Sequence, residues 1–339
     1  MSATIKDVAK RADVSIATVS LVMSKNERIS RETVLKVNRA IEDLNYHPSR
    51  SARGLVSRKT GNIGFILTED HFLRSEPFYT RIFLGAEFEA RQNEYYILLT
   101  TVASDFRRGQ RLPRFVLEKN VDGIIVAGKV SDDLIQCLEK YKIPIGFVDY
   151  FPEGERFPAV LIDNLDGGMQ AADYLISLGH RKIAFVGADI EHPSISDRFQ
   201  GYKIAMERAG LKYGPENYVI DENYPARENG YRAAQKLFAK SKGITAVFCC
   251  NDAMAIGVLQ YLKDKNIAVP GDVSIIGFDD VEADQTLDPP LSTISVPKLE
   301  LGVEVMRLMY DILNKKNKTS KKVLVPVELI IRKSTSEKN

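Results

Sequence analysis

The chain has 339 residues, 44% of them hydrophobic, which suits two or three domains with sizeable cores. It contains no apolar run near the roughly 18 residues of a transmembrane helix. It opens without the basic and apolar segments of a signal peptide, so we expect a cytoplasmic protein. Its three cysteines, Cys137, Cys249 and Cys250, lack metal-ligand spacing, which indicates reduced thiols.

The formal net charge of +2 is unevenly distributed along the chain. Residues 1–60 carry 12 lysines and arginines against 6 aspartates and glutamates, whereas the remainder carries 35 against 39. A basic head on a mildly acidic body indicates a polyanionic partner at one end of the molecule.

The first 23 residues have the pattern of two short helices joined by a tight turn. Thr4 and Asp7 have capping-box spacing, and residues 5–12 place apolar side chains at i, i+3, i+4 and i+7. Ser15 is placed to cap a second helix that runs to about Met23.

The second helix has an inner and an outer side. Val19 and Val22 face inward, which leaves its N-terminal part exposed, as in a helix-turn-helix that reads DNA. A third helix capped by Ser30 completes the unit, and an ordinary three-helix bundle would show the same pattern. The predicted DNA contacts of this unit are Ser15, Ile16, Ala17, Thr18, Ser20, Leu21 and Ser30. Apolar side chains at three of these positions can touch thymine methyl groups but cannot form bidentate base contacts.

A short basic segment follows at residues 48–55. Pro48 suits the first turn of a helix, but the segment has almost no apolar face and would be marginal alone in water. One interpretation is a flexible linker. The other is a hinge helix that orders against phosphates through Arg50 and Arg53, with small Ala52 allowing close approach and Leu55 acting as a minor-groove wedge.

Three motifs occur in order in this region: residues 4–9, residues 14–20, and the spaced set Tyr46, Pro48, Ala52 and Leu55. Together they resemble the N-terminal signature of the lactose/galactose-repressor family of bacterial transcriptional regulators. The likeness continues along essentially the whole chain. It implies a DNA contact at Tyr46 as well.

Beyond residue 61, near-continuous apolar strands alternate with amphipathic helices in two successive sets. This alternation predicts an α/β body made of two doubly wound parallel sheets. The predicted strands are 62–67, 95–99, 123–127, 145–148, 159–162, 182–186, 218–220, 246–250, 273–276 and 323–330. The predicted helices are 77–92, 105–119, 131–141, 166–178, 197–209, 227–240, 252–265 and 299–314.

The resemblance implies a domain organisation that periodicity alone does not give. It divides the chain into an all-α helix-turn-helix domain (1–47), a hinge helix and linker (48–60), and a periplasmic-binding-protein-like body (61–339). The chain then crosses between lobes more than once. Lobe 1 comprises about 61–160 and 292–322, and lobe 2 about 161–291 and 323–339.

A ligand in such a fold binds in the cleft at the carboxyl ends of the strands. By resemblance, the hydrogen-bonding residues for a small effector are Asp149, Arg198, Asn251 and Asp279. An aromatic platform could come from Phe78, Tyr79 or Tyr224, although each also suits a core position. We interpret Asp252 as a helix cap and Asp280 as a loop cap. The expected effector is a sugar, with a purine or another metabolite as the alternative.

The sequence argues against catalysis. Residues 123–129 match the spacing of a phosphate loop, but the intervening residues are strand formers and Val130 replaces the magnesium-binding Ser or Thr. The four histidines have no metal spacing, and no nucleophile elbow is present. We expect no cofactor, no metal and no enzymatic activity. A sugar-binding transport protein would share the body but not the basic helix-turn-helix.

These features together predict a DNA-binding transcriptional regulator, most simply a repressor. One helix-turn-helix reads too little sequence for genome-scale specificity, so we expect a homodimer on a near-palindromic operator. If DNA and effector favour different states, each weakens the binding of the other equally.

Overall fold

The computed structural model describes residues 3–23, 28–46, 59–72, 78–152, 157–188, 190–314 and 321–338. The chain divides into two compact units between Gly61 and Asn62. Each unit is described by itself below.

The described residues of the N-terminal unit form a bundle of three helices, and side chains cap their N-terminal ends. The helices are α1 (Ile5–Ala12), α2 (Ile16–Met23) and α3 (Arg31–Asp43). As predicted, the Thr4 backbone N–H donates to Asp7 Oδ2 at 2.8 Å, and Ser15 Oγ accepts from the Thr18 N–H at 3.1 Å. Asp13 takes a left-handed backbone, with φ of 52°, and so makes the tight turn between α1 and α2.

The core of this unit is small and apolar. Val8, Val19 and Val37, one from each helix, have no exposed surface. An ion pair between Arg11 and Asp43 at 2.8 Å also joins α1 to α3 on the surface.

The second unit contains two six-stranded sheets flanked by helices. Its strands are β1 (Asn62–Thr68), β2 (Tyr96–Val102), β3 (Gly123–Ala127), β4 (Ile145–Val148), β5 (Ala159–Ile162), β6 (Ile183–Ala188), β7 (Tyr218–Glu222), β8 (Ala246–Cys249), β9 (Ser274–Asp279), β10 (Ser292–Ser295), β11 (Lys322–Val325) and β12 (Glu328–Ile330). Its helices are α4 (Glu69–Phe72), α5 (Phe78–Gln92), α6 (Arg114–Leu117), α7 (Asp132–Glu139), α8 (Asn164–Ser177), α9 (Pro193–Arg208), α10 (Arg227–Lys240), α11 (Asp252–Asp264) and α12 (Lys298–Leu313). Two 3-10 turns, Pro215–Asn217 and Glu282–Gln285, complete the described elements.

The order of the strands shows two lobes of the same design. The first sheet runs β11-β5-β4-β3-β1-β2 and its pairs are parallel. The second runs β12-β10-β9-β8-β6-β7, with the β10–β12 pair antiparallel and the others parallel. This arrangement confirms the predicted fold class.

The crossing points between lobes differ from the predicted ones by a few residues. Ser292–Ser295 pairs in the second sheet, so the chain returns to the first lobe after residue 295 rather than at 292. The predicted single strand 323–330 is wrong, because Lys322–Val325 joins the first sheet and Glu328–Ile330 joins the second. Pro326 separates them, since proline cannot donate to a strand ladder.

One predicted helix is also wrong. Residues 105–119 form a loop and only the short helix Arg114–Leu117. Gly109 has a φ of 96°, outside the helical region, and Pro113 precedes the first helical residue. Apolar spacing predicted a helix there because Phe106 and Phe115 are buried, but they are buried from a loop and a single turn.

Three pairs of helices pack with their backbones in contact at glycines: α5 with α12, α8 with α9, and α10 with α11. A Cβ on Gly85 would lie 2.0 Å from the Leu299 carbonyl oxygen, and one on Gly302 would lie 1.9 Å from that of Ile82. The other two pairs show the same relation at Gly168 and Gly257. Glycine is required at these positions because any side chain would force the helices apart.

Candidate functional site

The outer surface of α2 presents the side chains predicted to meet DNA. Ser15, Ile16, Ala17 and Leu21 are exposed, and Thr18 and Ser20 are half-buried. Val19 and Val22 point into the bundle, so the inward and outward sides are as predicted. Ser30 is exposed and its Oγ accepts from the Thr33 N–H at 3.3 Å, which caps α3.

Two parts of the predicted DNA site are not found on this exposed surface. Tyr46 is only 6% exposed and packs in the core of the three-helix unit, so its prediction as a DNA contact needs correction to a structural role. The predicted hinge contacts Arg50, Ala52, Arg53 and Leu55 lie outside the described residues.

The second unit contains a cleft of about 330 Å³ at the carboxyl ends of the strands of both lobes. All seven residues predicted to bind an effector line this cleft: Phe78, Tyr79, Asp149, Arg198, Tyr224, Asn251 and Asp279. The first three come from the lobe of β1 to β5 and the other four from the lobe of β6 to β10. Parallel strands that end at a common edge explain why residues up to about 200 positions apart converge here.

Asp149 lies at the end of β4, where its carboxylate is oriented from both lobes. The Tyr79 hydroxyl donates to Oδ2 at 2.7 Å, and the Ser194 hydroxyl, from α9, lies 3.5 Å from Oδ1. Tyr79 was predicted as a stacking ring, but its ring is buried and its hydroxyl holds the carboxylate of Asp149. Asp149 has a φ of 57°, a left-handed backbone that turns the chain sharply at the rim of the cleft.

Arg198 forms the floor of the cleft on the second lobe and is 5% exposed. Its Nε donates to Asn164 Oδ1 at 2.8 Å, and Nη1 donates to the Cys250 carbonyl at 2.6 Å. Nη1 also lies 3.4 Å from Asp279 Oδ1, and the guanidinium carbon is 3.6 Å from the centre of the Phe278 ring. A buried cation fixed by these contacts can donate to a ligand without reorganising.

At the start of α11, the helix cap is Asn251, which also lines the cleft, rather than Asp252. Asn251 is the cap, because its Oδ1 accepts from the Met254 N–H at 2.9 Å, while Nδ2 donates to the Pro225 carbonyl at 3.0 Å. The prediction of Asp252 as the cap is wrong. Asp252 is fully buried behind the cleft and accepts from the Thr293 hydroxyl at 2.6 Å.

Asp279 and Asp280 form a turn at the end of β9. Asp279 faces the cleft and pairs with Arg198, while Asp280 pairs with Arg332 at 2.5 Å. Asp280 is therefore a charged partner of the C-terminal segment rather than the loop cap that we predicted. The Lys298 ammonium donates to the carbonyls of both aspartates.

The remaining aromatic residues sit at the mouth of the cleft. The ring of Phe78 meets that of Tyr79 edge-on, with 5.1 Å between centres, and the Lys298 ammonium lies 5.8 Å from the Phe78 ring centre. The Tyr224 hydroxyl, on the second lobe, donates to the Asp70 carbonyl on the first at 3.4 Å. Tyr224 thus spans the opening.

Sequence reasoning missed several residues that line the cleft, among them Lys129, Ser131, His192 and Ser194. Lys129 was visible as the last residue of the apparent phosphate loop, which is indeed the strand β3 and the turn after it. Its position after a buried strand was the signal that could have identified it. Ser194 precedes Arg198 by one helical turn, and that spacing places both on one side of α9.

Within the described parts of the chain, His, Cys, Asp and Glu side chains form no group that could hold a metal ion. No helix among the described residues is long and apolar enough to span a membrane.

Comparison with known proteins agrees with this architecture. The model of the lacI family of bacterial regulatory proteins matches residues 4–49, and that of a periplasmic binding protein-like domain matches residues 172–335. The HTH-type transcriptional repressor PurR of Pasteurella multocida is 33% identical over 338 residues, 99% of both chains.

Two solved structures extend the likeness to the fold. The transcriptional regulator CelR in complex with cellobiose aligns with a TM-score of 0.75 at 28% identity, over 98% of this chain and 99% of that one. A LacI family regulator from Enterococcus faecium with bound ribose aligns with a TM-score of 0.70 at 28% identity, over 82% and 100%. These matches confirm the resemblance stated from the motifs. The chain therefore belongs to the lacI family of bacterial regulatory proteins and is a DNA-binding transcriptional repressor.

Proposed function

We propose that this repressor binds a sugar in the cleft between its two lobes, and that the bound sugar changes its affinity for operator DNA in the bacterial cytoplasm. The observation that carries the proposal is the convergence of the seven predicted residues on one cleft of about 330 Å³. That volume is at the lower end of the roughly 300–1,000 Å³ typical of small-molecule sites.

The chemistry of the lining suits a sugar. Carboxylates of Asp149 and Asp279 accept hydrogen bonds from hydroxyl groups, and the guanidinium of Arg198 donates to them. Rings of Phe78 and Tyr224 can cover the apolar face of a pyranose. The same rings could stack on a purine base, which keeps that alternative open to test.

A homodimer is supported by an apolar surface on the first lobe. Leu84 and Phe88 are exposed on α5, and Leu99 is exposed on β2, the edge strand of the first sheet. Exposed apolar side chains beside an open strand edge are typical of a protein interface. Phe88→Asp should convert the dimer to a monomer in light scattering, whereas Leu324→Asp, exposed on the opposite edge strand, should not.

The effector is tested by thermal unfolding of the full chain with cellobiose, ribose, glucose 6-phosphate, adenine and hypoxanthine. A ligand at 100 times its Kd stabilises the folded state by about 2.7 kcal/mol. We expect a sugar to raise the Tm of the wild type and of Asp264→Asn, an exposed control. For Asp149→Asn, the Tm with the same sugar should be nearly the same as the Tm without it.

Stabilisation by a nucleobase alone would replace the sugar with the purine alternative. Stabilisation of Asp149→Asn by the sugar as much as of the wild type would place the ligand outside this cleft. No response to any of the five compounds would contradict the choice of ligand class.

A further inference from the structure

The turn at Asp279 and Asp280 has a backbone that must be held in place. Asp279 has a φ of 114° and Asp280 a φ of 55°, both in the region that favours glycine. Such conformations are strained and persist only where the surroundings enforce them. Lys298 and Arg332 hold the turn from the outside through the Asp280 carbonyl at 3.2 Å and the Asp280 carboxylate at 2.5 Å.

Two buried acids hold the same turn from the inside. The backbone N–H of Val281, the residue after the turn, donates to Asp252 Oδ2 at 3.1 Å and to Asp284 Oδ2 at 2.9 Å. Both aspartates are fully buried. One N–H therefore joins α11, the turn and the 3-10 segment Glu282–Gln285.

The site of Asp252 is shaped for its carboxyl group. The Thr293 hydroxyl on β10 donates to Oδ1 at 2.6 Å. A Cβ on Gly277 of β9 would lie 2.0 Å from Oδ1, so the glycine leaves the space that the carboxyl group fills. Asp252 thus connects α11, β9 and β10 directly beneath the cleft residue Asn251.

The shared N–H brings two buried carboxyl groups close together. Asp252 Oδ2 and Asp284 Oδ2 lie 3.1 Å and 2.9 Å from the same Val281 nitrogen, and two ionised carboxylates so close in a buried site would repel each other. Burial, the charge of Asp284 and the nearby Asp279 raise the pKa of Asp252 well above its ordinary value. Burial raises the pKa of Asp284 to about 6, against the opposing effect of Arg332, while Asp280 adds to the increase. The thiol of Cys249 also faces Asp252, and burial raises its pKa.

We propose that Asp252 and Asp284 share one proton near neutral pH, and that this protonated pair positions Asp279 in the effector cleft. The inference rests on the proposed function for its consequence, since Asp279 matters to a ligand that the cleft binds. Loss of the proton would place two negative charges in a dry site, so the pair would separate and release the Val281 N–H. Asp252 and Asp284 are therefore positioning residues, which touch the cleft only through the turn.

The proton is tested by infrared difference spectroscopy of the full chain near neutral pH. A protonated carboxylic acid has a carbonyl stretching band that ionised carboxylates lack. The band should be present in the wild type and in Asp264→Asn, which alters an exposed aspartate on the same helix, and absent in Asp252→Asn. An unchanged band in Asp252→Asn would overturn the shared proton.

The positioning is tested by hydrogen exchange of the Val281 amide. In Asp252→Asn, Nδ2 can donate to Asp284 but cannot accept from the Val281 N–H, which keeps only its bond to Asp284 Oδ2. Asp252→Ala should therefore exchange at least tenfold faster than the wild type, and Asp252→Asn should exchange more slowly than Asp252→Ala. If Asp252→Ala does not fold, Thr293→Val is the substitute, because it removes the hydroxyl that donates to Asp252 Oδ1. It should also accelerate exchange of the Val281 amide. Wild-type exchange in a folded alanine or Thr293→Val variant would overturn the inference.

Calorimetry with cellobiose and with ribose separates this inference from the proposed function. We expect whichever sugar binds the wild type to bind Asp252→Ala at least tenfold more weakly, and to bind Asp252→Asn more tightly than Asp252→Ala. Equal binding by Asp252→Ala would overturn the link between the pair and the cleft. If neither sugar binds the wild type, the result counts against the proposed sugar. Hydrogen exchange of the Val281 amide would still decide whether Asp252 and Asp284 hold the turn.

Discussion

Arg198 is the residue whose removal the structure allows us to weigh most directly. Its guanidinium is buried and contacts Asn164, the Cys250 carbonyl, Asp279 and the face of the Phe278 ring. Arg198→Ala removes the buried cation that lies 3.4 Å from the Asp279 carboxylate, which is 15% exposed. Removing one member of a buried pair destabilises proteins by about 3–5 kcal/mol.

That loss is large but is smaller than the stability of many domains, which is about 5–15 kcal/mol. We therefore expect Arg198→Ala to fold, with a Tm lower by roughly 6–20 °C, since about 1 kcal/mol corresponds to roughly 2–4 °C in proteins near this size. Calorimetric unfolding of the full chain measures the shift. The effector response should also be lost, so a thermal-shift assay must compare each variant with and without ligand.

Two further variants make the reasoning testable. Arg208→Ala removes an exposed arginine from the same helix, where it pairs with Asp173 at the surface, and should change stability by no more than about 1 kcal/mol. The double change Arg198→Met with Asp279→Asn removes both charges and should recover at least half of the lost Tm. A Tm for Arg198→Ala no lower than that for Arg208→Ala would refute the argument from the loss of the buried cation.

Three other predictions follow from individual features. Ser15→Ala removes the cap of α2 and should destabilise that helix by about 1 kcal/mol. Binding to DNA duplexes selected from a random pool should weaken as a result, and fluorescence anisotropy measures that binding. The same assay across salt concentrations should give a log–log slope of about −0.9 per neutralised phosphate, and a flat response would argue against phosphate contacts. The pKa of Asp284 is raised to about 6 in the folded protein, whereas an aspartate in an unfolded chain has a pKa of about 3.9. The proton on Asp284 therefore stabilises the fold at low pH, and this contribution is lost as the pH rises from about 4 through 6. Urea unfolding should show this fall in the wild type relative to Asp284→Asn; parallel pH profiles would contradict it.

Much of the fold was predictable because local pattern and global structure agree. The central strands β1, β3, β4, β6, β8 and β9 are largely apolar runs that only a sheet covered on both faces would tolerate. The helix expected at 105–119 failed because its apolar spacing was satisfied by a loop, with Gly109 and Pro113 preventing helical continuation. The crossing at Pro326 was readable in principle, since proline interrupts strand pairing.

The cleft was predictable to the extent that its residues follow strands. Asp149, Asn251 and Asp279 each come directly after an apolar run, so topology alone brings them together. The roles of Asn251 and Asp252 could not be separated in this way, because either residue can cap a helix and only the fold shows which one is buried. Asp252 and Asp284 are 32 positions apart and meet at the Val281 N–H. This N–H follows a turn whose backbone conformation no local sequence pattern predicts.

The distribution of close and distant contacts indicates where the body can move. Helix pairs that touch backbone to backbone at glycines such as Gly85 and Gly302 cannot slide without steric overlap, so each lobe resists deformation. Contacts across the cleft are fewer: the Tyr224 hydroxyl reaches the Asp70 carbonyl at 3.4 Å, the exposed pair Arg81–Glu282 is 3.7 Å apart, and the Lys298 ammonium donates to the Asp279 and Asp280 carbonyls. Exposed ion pairs contribute about 0–1 kcal/mol, whereas a hydrogen bond to a charged group contributes about 1.5–3 kcal/mol. A ligand with two such bonds to residues of different lobes therefore outweighs the exposed pair and can change the angle between the lobes.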